Sequence, residues 1–237
     1  MLKCVTITGA DNSIRPEDLI PLNKEFPFVE FAILLSEKGF QEGCSRFPTE
    51  EWLKDLQIVA KKHSLRLAGH ICGTWTRNLS GVFEEHPEFL EIFPRIQLNG
   101  LNLTYKLLDS LKNYKNQFIF QIGNKWISTE EINLAIDSYW NEMPFDIAFL
   151  FDCSGGKGII PEQWIRPIDS FYCGYAGGLG PISLHEQLPK ILEIADDKEI
   201  WIDMETKVRS DDNLLFDLNK VRVCLEICKN SMWNSVF

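Results

Sequence analysis

"FYCGYAGGLGPISLHEQLPKI", residues 171–191, reads as a short strand that ends in two adjacent glycines and passes at once into a helix. Glycines at that point leave bare backbone N–H groups where side chains would otherwise stand. They serve either an anion or a tight turn, and the surrounding chain has to decide between the two. The strand–loop–helix unit is the more informative feature, because it recurs. Runs rich in β-branched and aromatic residues lie at Cys4–Gly9, Phe28–Ser36, Leu65–Cys72, Arg95–Gly100, Gln117–Gly123, Ile147–Ser154, Phe171–Gly178 and Glu199–Thr206, with amphipathic segments between them.

The helical signals are of unequal strength. "PTEEWLKDLQIVAKKH" (48–63) offers Thr49 as N-cap, sets Trp52, Leu53, Leu56 and Val59 on one face, and ends in lysines. "STEEINLAIDSYW" (128–140) repeats the device with Ser128 as cap and Glu131 three residues on. "SLHEQLPKILEIA" and "FDLNKVRVCLEICKN" supply two late helices, whereas the first connection is weak and "PEQWIRPID" (161–169) allows barely two turns. Strand then helix, eight times over, implies an α/β fold of one kind: a single (β/α)8 TIM barrel with a parallel eight-stranded sheet over residues 1–237. An open doubly wound sheet is the rival, and no linker or low-complexity tract marks a domain boundary.

Composition sets outer bounds. The chain has 237 residues, 45% of them hydrophobic and 24% charged, as a globular protein with a sizeable core requires. A formal net charge of −10 and a pI near 5.0 argue against nucleic acid or an anionic membrane surface as partner. A small anionic ligand stays open, because a few local donors outweigh a distant net charge. The seven cysteines are scattered, without metal-finger spacing, and Cys224 and Cys228 fit the apolar face of a helix. "MLKCVTITGADN" carries no long apolar run behind a basic end, and "FAILL" is too short to cross a bilayer. The expectation is a cytoplasmic chain with reduced thiols, no cofactor, and a monomeric or homodimeric state.

In a barrel, chemistry belongs at the carboxyl ends of the strands, where alternation selects the inward side chains. These are Thr6 and Thr8, His70 and Cys72, Gln97 and Asn99, Gln121, Asp152 and Ser154, and Asp203 and Glu205. So many polar groups at strand ends exceed what packing alone requires, although some must be structural bridges. Gly177 and Gly178 end the seventh run beside "IDMETKVRS" of the eighth. In such barrels a phosphate can sit between these two loops on backbone N–H groups.

Taken in order, these stretches resemble the phosphoribosylanthranilate isomerase family. "VTITG" (5–9) is similar to its first-strand "VKICG", "CSRFP" (44–48) to "SPRYV", and "IQLNG" (96–100) to "VQLHG". "FLFDCSGGKG" (149–158) resembles "LLD…GGTGK", "YAGGLGPISL" (175–184) resembles "LAGGLTPENV", and "WIDMETKVRSDD…DLNKV" resembles "VDVSSGVE…KDLEKI". The resemblance implies an Amadori-type isomerisation of a small phosphorylated, carboxylated aminosugar. Asp152 would be the general acid and Arg46 the clamp for a carboxylate. Gly177 and Gly178 would hold phosphate with Lys207 beside them, and Gln97, Asn99 and Glu205 would contact substrate.

The chain departs from that family where it matters most. Thr8 stands at the position of the catalytic cysteine, and a hydroxyl without an activating partner is far too weak an acid to replace a thiolate. The parent activity is therefore in doubt. His70 and Cys72, two apart in "HICG", share the inward face, and either is a candidate replacement base. Lys207 replaces a loop glycine. Two residues past Glu205 on a continuing strand it would face the mouth, where it either pairs with the phosphate or fills its space. The competing picture is a side chain bent outward to Asp211 or Asp212. Two alternatives complete the expectations: a non-catalytic ligand-binding pseudoenzyme that kept the anion site, and a metal-dependent barrel enzyme using His70, Asp152, Asp203 and Glu205.

Overall fold

The structure, a computed structural model, describes residues 1–101, 103–123, 146–152 and 157–234. The helix expected over 128–140 and the inward Ser154 lie outside the described residues. Eight parallel strands close into a barrel in sequence order: β1 Leu2–Thr8, β2 Val29–Leu35, β3 Leu67–Ile71, β4 Arg95–Leu98, β5 Gln117–Ile122, β6 Ile147–Asp152, β7 Tyr172–Ala176 and β8 Ile200–Met204. β8 pairs with β1 through Val5–Ile202, Thr6–Asp203 and Ile7–Met204, so neither edge is left open. The open-sheet alternative is thereby excluded.

Each strand serves two cores, as the alternation predicts. Val5 and Ile7, Phe31 and Ile33, and their counterparts on the other strands pack outward against the helices. Cys4, Ile119, Ala148, Leu150 and Trp201 pack inside the barrel. The helix Glu50–His63 forms as read: the Thr49 hydroxyl accepts from Trp52 N–H at 3.4 Å, and Trp52, Leu53, Leu56 and Val59 are buried. Ser64, left-handed at φ 53°, terminates it. The late helices run Leu184–Ala195 and Leu218–Asn234. The sixth connection differs from expectation, since no helix forms over Pro161–Asp169. Two prolines in nine residues remove the N–H groups a second turn would need.

The amino-terminal end of the barrel is sealed by charge held against aromatic rings. Arg95 donates to Glu30 Oε1 at 2.7 Å and to Gln117 Oε1 at 2.7 Å, while Thr6 donates to the same Glu30 oxygen at 2.9 Å. The guanidinium lies 4.4 Å from the Trp201 ring centroid and 5.4 Å from that of Tyr172. Those ring faces account for its buried second nitrogen, which has no hydrogen-bond partner. Gly174 makes room for the indole: a β-carbon there would stand 2.1 Å from Trp201 Cε2. Gly174→Ala is therefore expected to lose about 1–3 kcal/mol of stability as an overpacked core position. Urea denaturation followed by tryptophan fluorescence measures this, and an unchanged midpoint would mean that the indole is free to turn aside.

Candidate functional site

At the carboxyl end the barrel opens into a cavity of about 250 Å³, at the small end for ligand sites. His70, Gln97, Asn99, Gln121, Asp152 and Asp203 reach it from five different strands or their ends. Glu205, Gly177, Gly178 and Lys207 complete the wall on the side of β7 and β8. Of the eleven residues singled out from the sequence as site residues, eight line this space. Thr8, Cys72 and Arg46 stand behind it.

The pairing register sets the carboxylates. Asp152 is level with Ala176 of β7, and Ala176 is level with Asp203 of β8. The two aspartates thus flank a small residue across two strand spacings, roughly 10 Å between Cα atoms. Both are at least nine-tenths buried, and Glu205 follows Asp203 by two on the same wall. Burial pushes the Asp203 carboxyl up to about 8, and Glu205, Asp152 and Glu30 add to the rise. Burial also raises Glu205, against the pull of Arg46, whose guanidinium donates to Glu205 Oε1 at 2.5 Å. Three carboxyl groups around one small space, together with deep burial, keep a proton on Asp203 near neutrality.

Thr8 holds that proton carrier in place. Its hydroxyl donates to Asp203 Oδ1 at 2.6 Å, and the side chain is fully buried. The hydroxyl is thus engaged by Asp203 and does not line the cavity. The hydrogen bond favours the ionised form, opposing the rise caused by burial. Thr8→Val, equal in shape, is accordingly expected to move the Asp203 titration above its wild-type midpoint in carboxyl ¹³C NMR. A downward or absent shift would mean that the bond does not act on the ionised form.

The two candidate replacement bases separate. Cys72 donates to the His70 carbonyl at 3.4 Å and accepts from Asn99 Nδ2 at 3.1 Å. Burial pushes its thiol up to about 12, so no thiolate forms in the neutral range. Gln97 Nε2 donates in turn to Asn99 Oδ1 at 2.8 Å, making a chain of bonds that ties the end of β4 to that of β3. His70 is 2% exposed and faces the cavity, and among the described residues its ring has no hydrogen-bond partner. Burial, aided by the Arg95 charge, pushes it down to about 3, so the imidazole is neutral and offers one donor and one acceptor to a ligand.

The glycine loop answers to packing first. Gly177 and Gly178 have φ of 122° and 63°, which other residues rarely adopt. The segment between β6 and β7 lies directly on them, so that a β-carbon on Gly178 would stand 2.6 Å from Ile160 N and one on Gly177 2.9 Å from Ile159 O. Lys207 was expected on a continuing strand, but β8 stops at Met204 and Thr206–Val208 forms a 3₁₀ turn. Its exposed side chain still borders the cavity, packed over Gly180, where a β-carbon would meet Lys207 Cβ at 2.3 Å. Lys207 forms no ion pair among the described residues. Asp211 pairs with Lys220 at 2.6 Å and Asp212 accepts from Ser210, so the alternative pairing of Lys207 does not occur.

A second network escaped the sequence reading. Arg209, 1% exposed, donates to Asp11 Oδ2 at 2.7 Å, to Gly9 O at 2.6 Å and to Leu214 O at 2.9 Å. Asp11 also accepts from Arg46 N–H at 2.6 Å, and Arg46 has φ of 79°. Nothing in the sequence links residues 198 apart, whereas the closure of β8 on β1 brings them together. Arg46, expected to clamp a substrate carboxylate, pairs with Glu205. Among the described residues no three His, Cys, Asp or Glu side chains converge as a metal site, so the metal-dependent reading has no geometric support there. A scan against protein-family models finds no match and neither does a search of curated proteins, so the functional reading rests on the barrel and the residues at its mouth.

Proposed function

We propose that the chain is a barrel enzyme of the phosphoribosylanthranilate-isomerase type that moves protons on a small phosphorylated or carboxylated ligand. The observation that carries this reading is the pair Asp152 and Asp203, facing one small cavity from β6 and β8 with Ala176 between them. Asp203 keeps its proton in the resting enzyme and acts as general acid, and Asp152 takes a proton from the neighbouring position of the ligand. His70, neutral, holds a ligand hydroxyl or carbonyl, and Gln97 orients Asn99 on the opposite wall. The ligand's anionic group lies toward Gly177, Gly178 and Lys207, on the wall where Arg46 is paired to Glu205.

The chemistry differs from that of the resembled family in both groups: Asp203 takes the acid role that the resemblance gives to Asp152, and Asp152 becomes the base. Thr8 is committed to Asp203 and Cys72 stays protonated, so the proton-accepting role falls to a carboxylate. Deuterium wash-in from heavy water, followed by ¹H NMR on a panel of aldose and ketose phosphates, tests the reading. Enzyme-dependent loss of a signal adjacent to a carbonyl is the expected result. Binding of the same compounds without any wash-in would assign the chain to the ligand-binding pseudoenzymes instead.

A further inference from the structure

A second cavity, of about 860 Å³, is lined in part by Gly158, Ile159 and Ile160, between β6 and β7. It shares Gly158, Gly178, Thr206 and Lys207 with the first, so the two adjoin along these residues. Its own walls are of a different character. Ile159, Ile160, Pro181 and Ile182 face it, and Ile182 is 97% exposed with Ile159 at 59%. Clustered bare isoleucines of this kind mark a binding surface in a way that scattered ones do not.

The charges around the groove are nearly all committed. Arg209 is spent on Asp11 and on backbone carbonyls, and Lys220 on Asp211 and the Arg209 carbonyl. Lys207 alone among the described cations of this wall has no ion pair, and it stands at the junction of the two cavities. An apolar surface therefore begins where an uncommitted cation ends.

We infer that the groove takes the apolar tail of the ligand, an amphiphilic phosphodiester whose phosphate meets Lys207 at the junction, whose polar ester arm lies in the mouth and whose hydrocarbon arm lies over Ile159, Ile160 and Ile182. The assignment rests on the anion-binding reading above and adds the substrate class: amphiphilic, with the polar part in the mouth. The mouth is small and the groove is more than three times its volume, so the larger part of such a ligand would be apolar.

Calorimetric titration with inorganic phosphate, butyl phosphate and hexyl phosphate decides the matter. Affinity is expected to rise by roughly two- to fourfold per methylene, the gain for burying a CH₂ group. The double substitution Ile159→Ser and Ile182→Ser, at two exposed positions, should remove most of the dependence on chain length. Lys207→Ala should weaken all three ligands. Equal affinity along the series, a chain-length gain that survives the isoleucine substitutions, or no binding by any of the three would each overturn the inference. Retention on phosphatidic acid vesicles, lost in the isoleucine variant and without hexyl phosphate binding, would reassign the groove to a lipid surface. A chain-length gain without deuterium wash-in would keep the groove and sink the acid–base reading, and the reverse result would do the opposite.

Discussion

Asp203→Asn is expected to lower the proton-exchange rate by roughly 10²–10⁴-fold, the usual contribution of a positioned acid or base. The substitution keeps shape and keeps an oxygen for the Thr8 hydroxyl, so a loss of this size would be chemical and not structural. Wild-type activity should fall as pH rises through about 8, where Asp203 gives up its proton. Stability supplies an independent readout. The Asp203 carboxyl is raised in the fold from its ordinary 3.8 to about 8, so between those values the unfolded chain holds fewer protons than the folded one. Stability conferred by the protonated group is then complete at the acid end of that window and declines as pH climbs, by several kcal/mol in all. Asparagine cannot ionise, so the variant should be flat across the same range and more stable than wild type above pH 8. Undiminished exchange in the variant would remove Asp203 from the chemistry. An unchanged pH slope of stability would show that another group carries the proton.

Why the barrel was legible, and the acid was not, follows from the range of the forces involved. Alternation is a local property: Val5 and Ile7 must face one way and Thr6 and Thr8 the other wherever the strand lies. Eight such strands with helices between them have few ways to close. Capping is local too, and Thr49 could be read without any knowledge of tertiary structure. Local reading fails where a residue's state is set by its neighbours across the barrel. Thr8 looked like a damaged catalytic position until β8 brought Asp203 within 2.6 Å. Asp203 itself was visible as an inward carboxylate, but its held proton depends on Glu205, Asp152 and the depth of burial together. Gly177 and Gly178 were noticed for their bare N–H groups, yet the clearest constraint on them is the backbone of Ile159 and Ile160 lying across their faces. Lys207 was placed by extending the strand alternation two residues past the point where β8 ends. The rule held only as far as the strand did.

Arg209→Met is expected to cost about 3–5 kcal/mol of stability, because it leaves the Asp11 carboxylate buried without its ion-pair partner. For a domain of this size each kcal/mol lowers the melting temperature by about 2–4 °C, so the midpoint should drop by roughly 6–20 °C. The guanidinium serves acceptors in several directions, from Asp11, Gly9 and Leu214 to the Ser45 hydroxyl at 3.2 Å. A lysine presents a point charge on a flexible stem and cannot reproduce that fork, so Arg209→Lys should recover little. Much of the loss in Arg209→Met belongs to the stranded aspartate. Pairing it with Asp11→Leu should therefore restore part of the stability, and a double-mutant cycle measures how much. The consequences reach the site, because Asp11 also fixes the left-handed Arg46, and Arg46 in turn holds Glu205. With Arg209 gone, Glu205 loses its anchored partner. The proton-exchange rate should fall in Arg209→Met even at temperatures where the variant is fully folded. Full stability in that variant would show that the loops of β1, β2 and β8 are held together by other contacts. Full stability loss with unchanged exchange would separate the network from the chemistry and leave Arg46 positioned by its own loop.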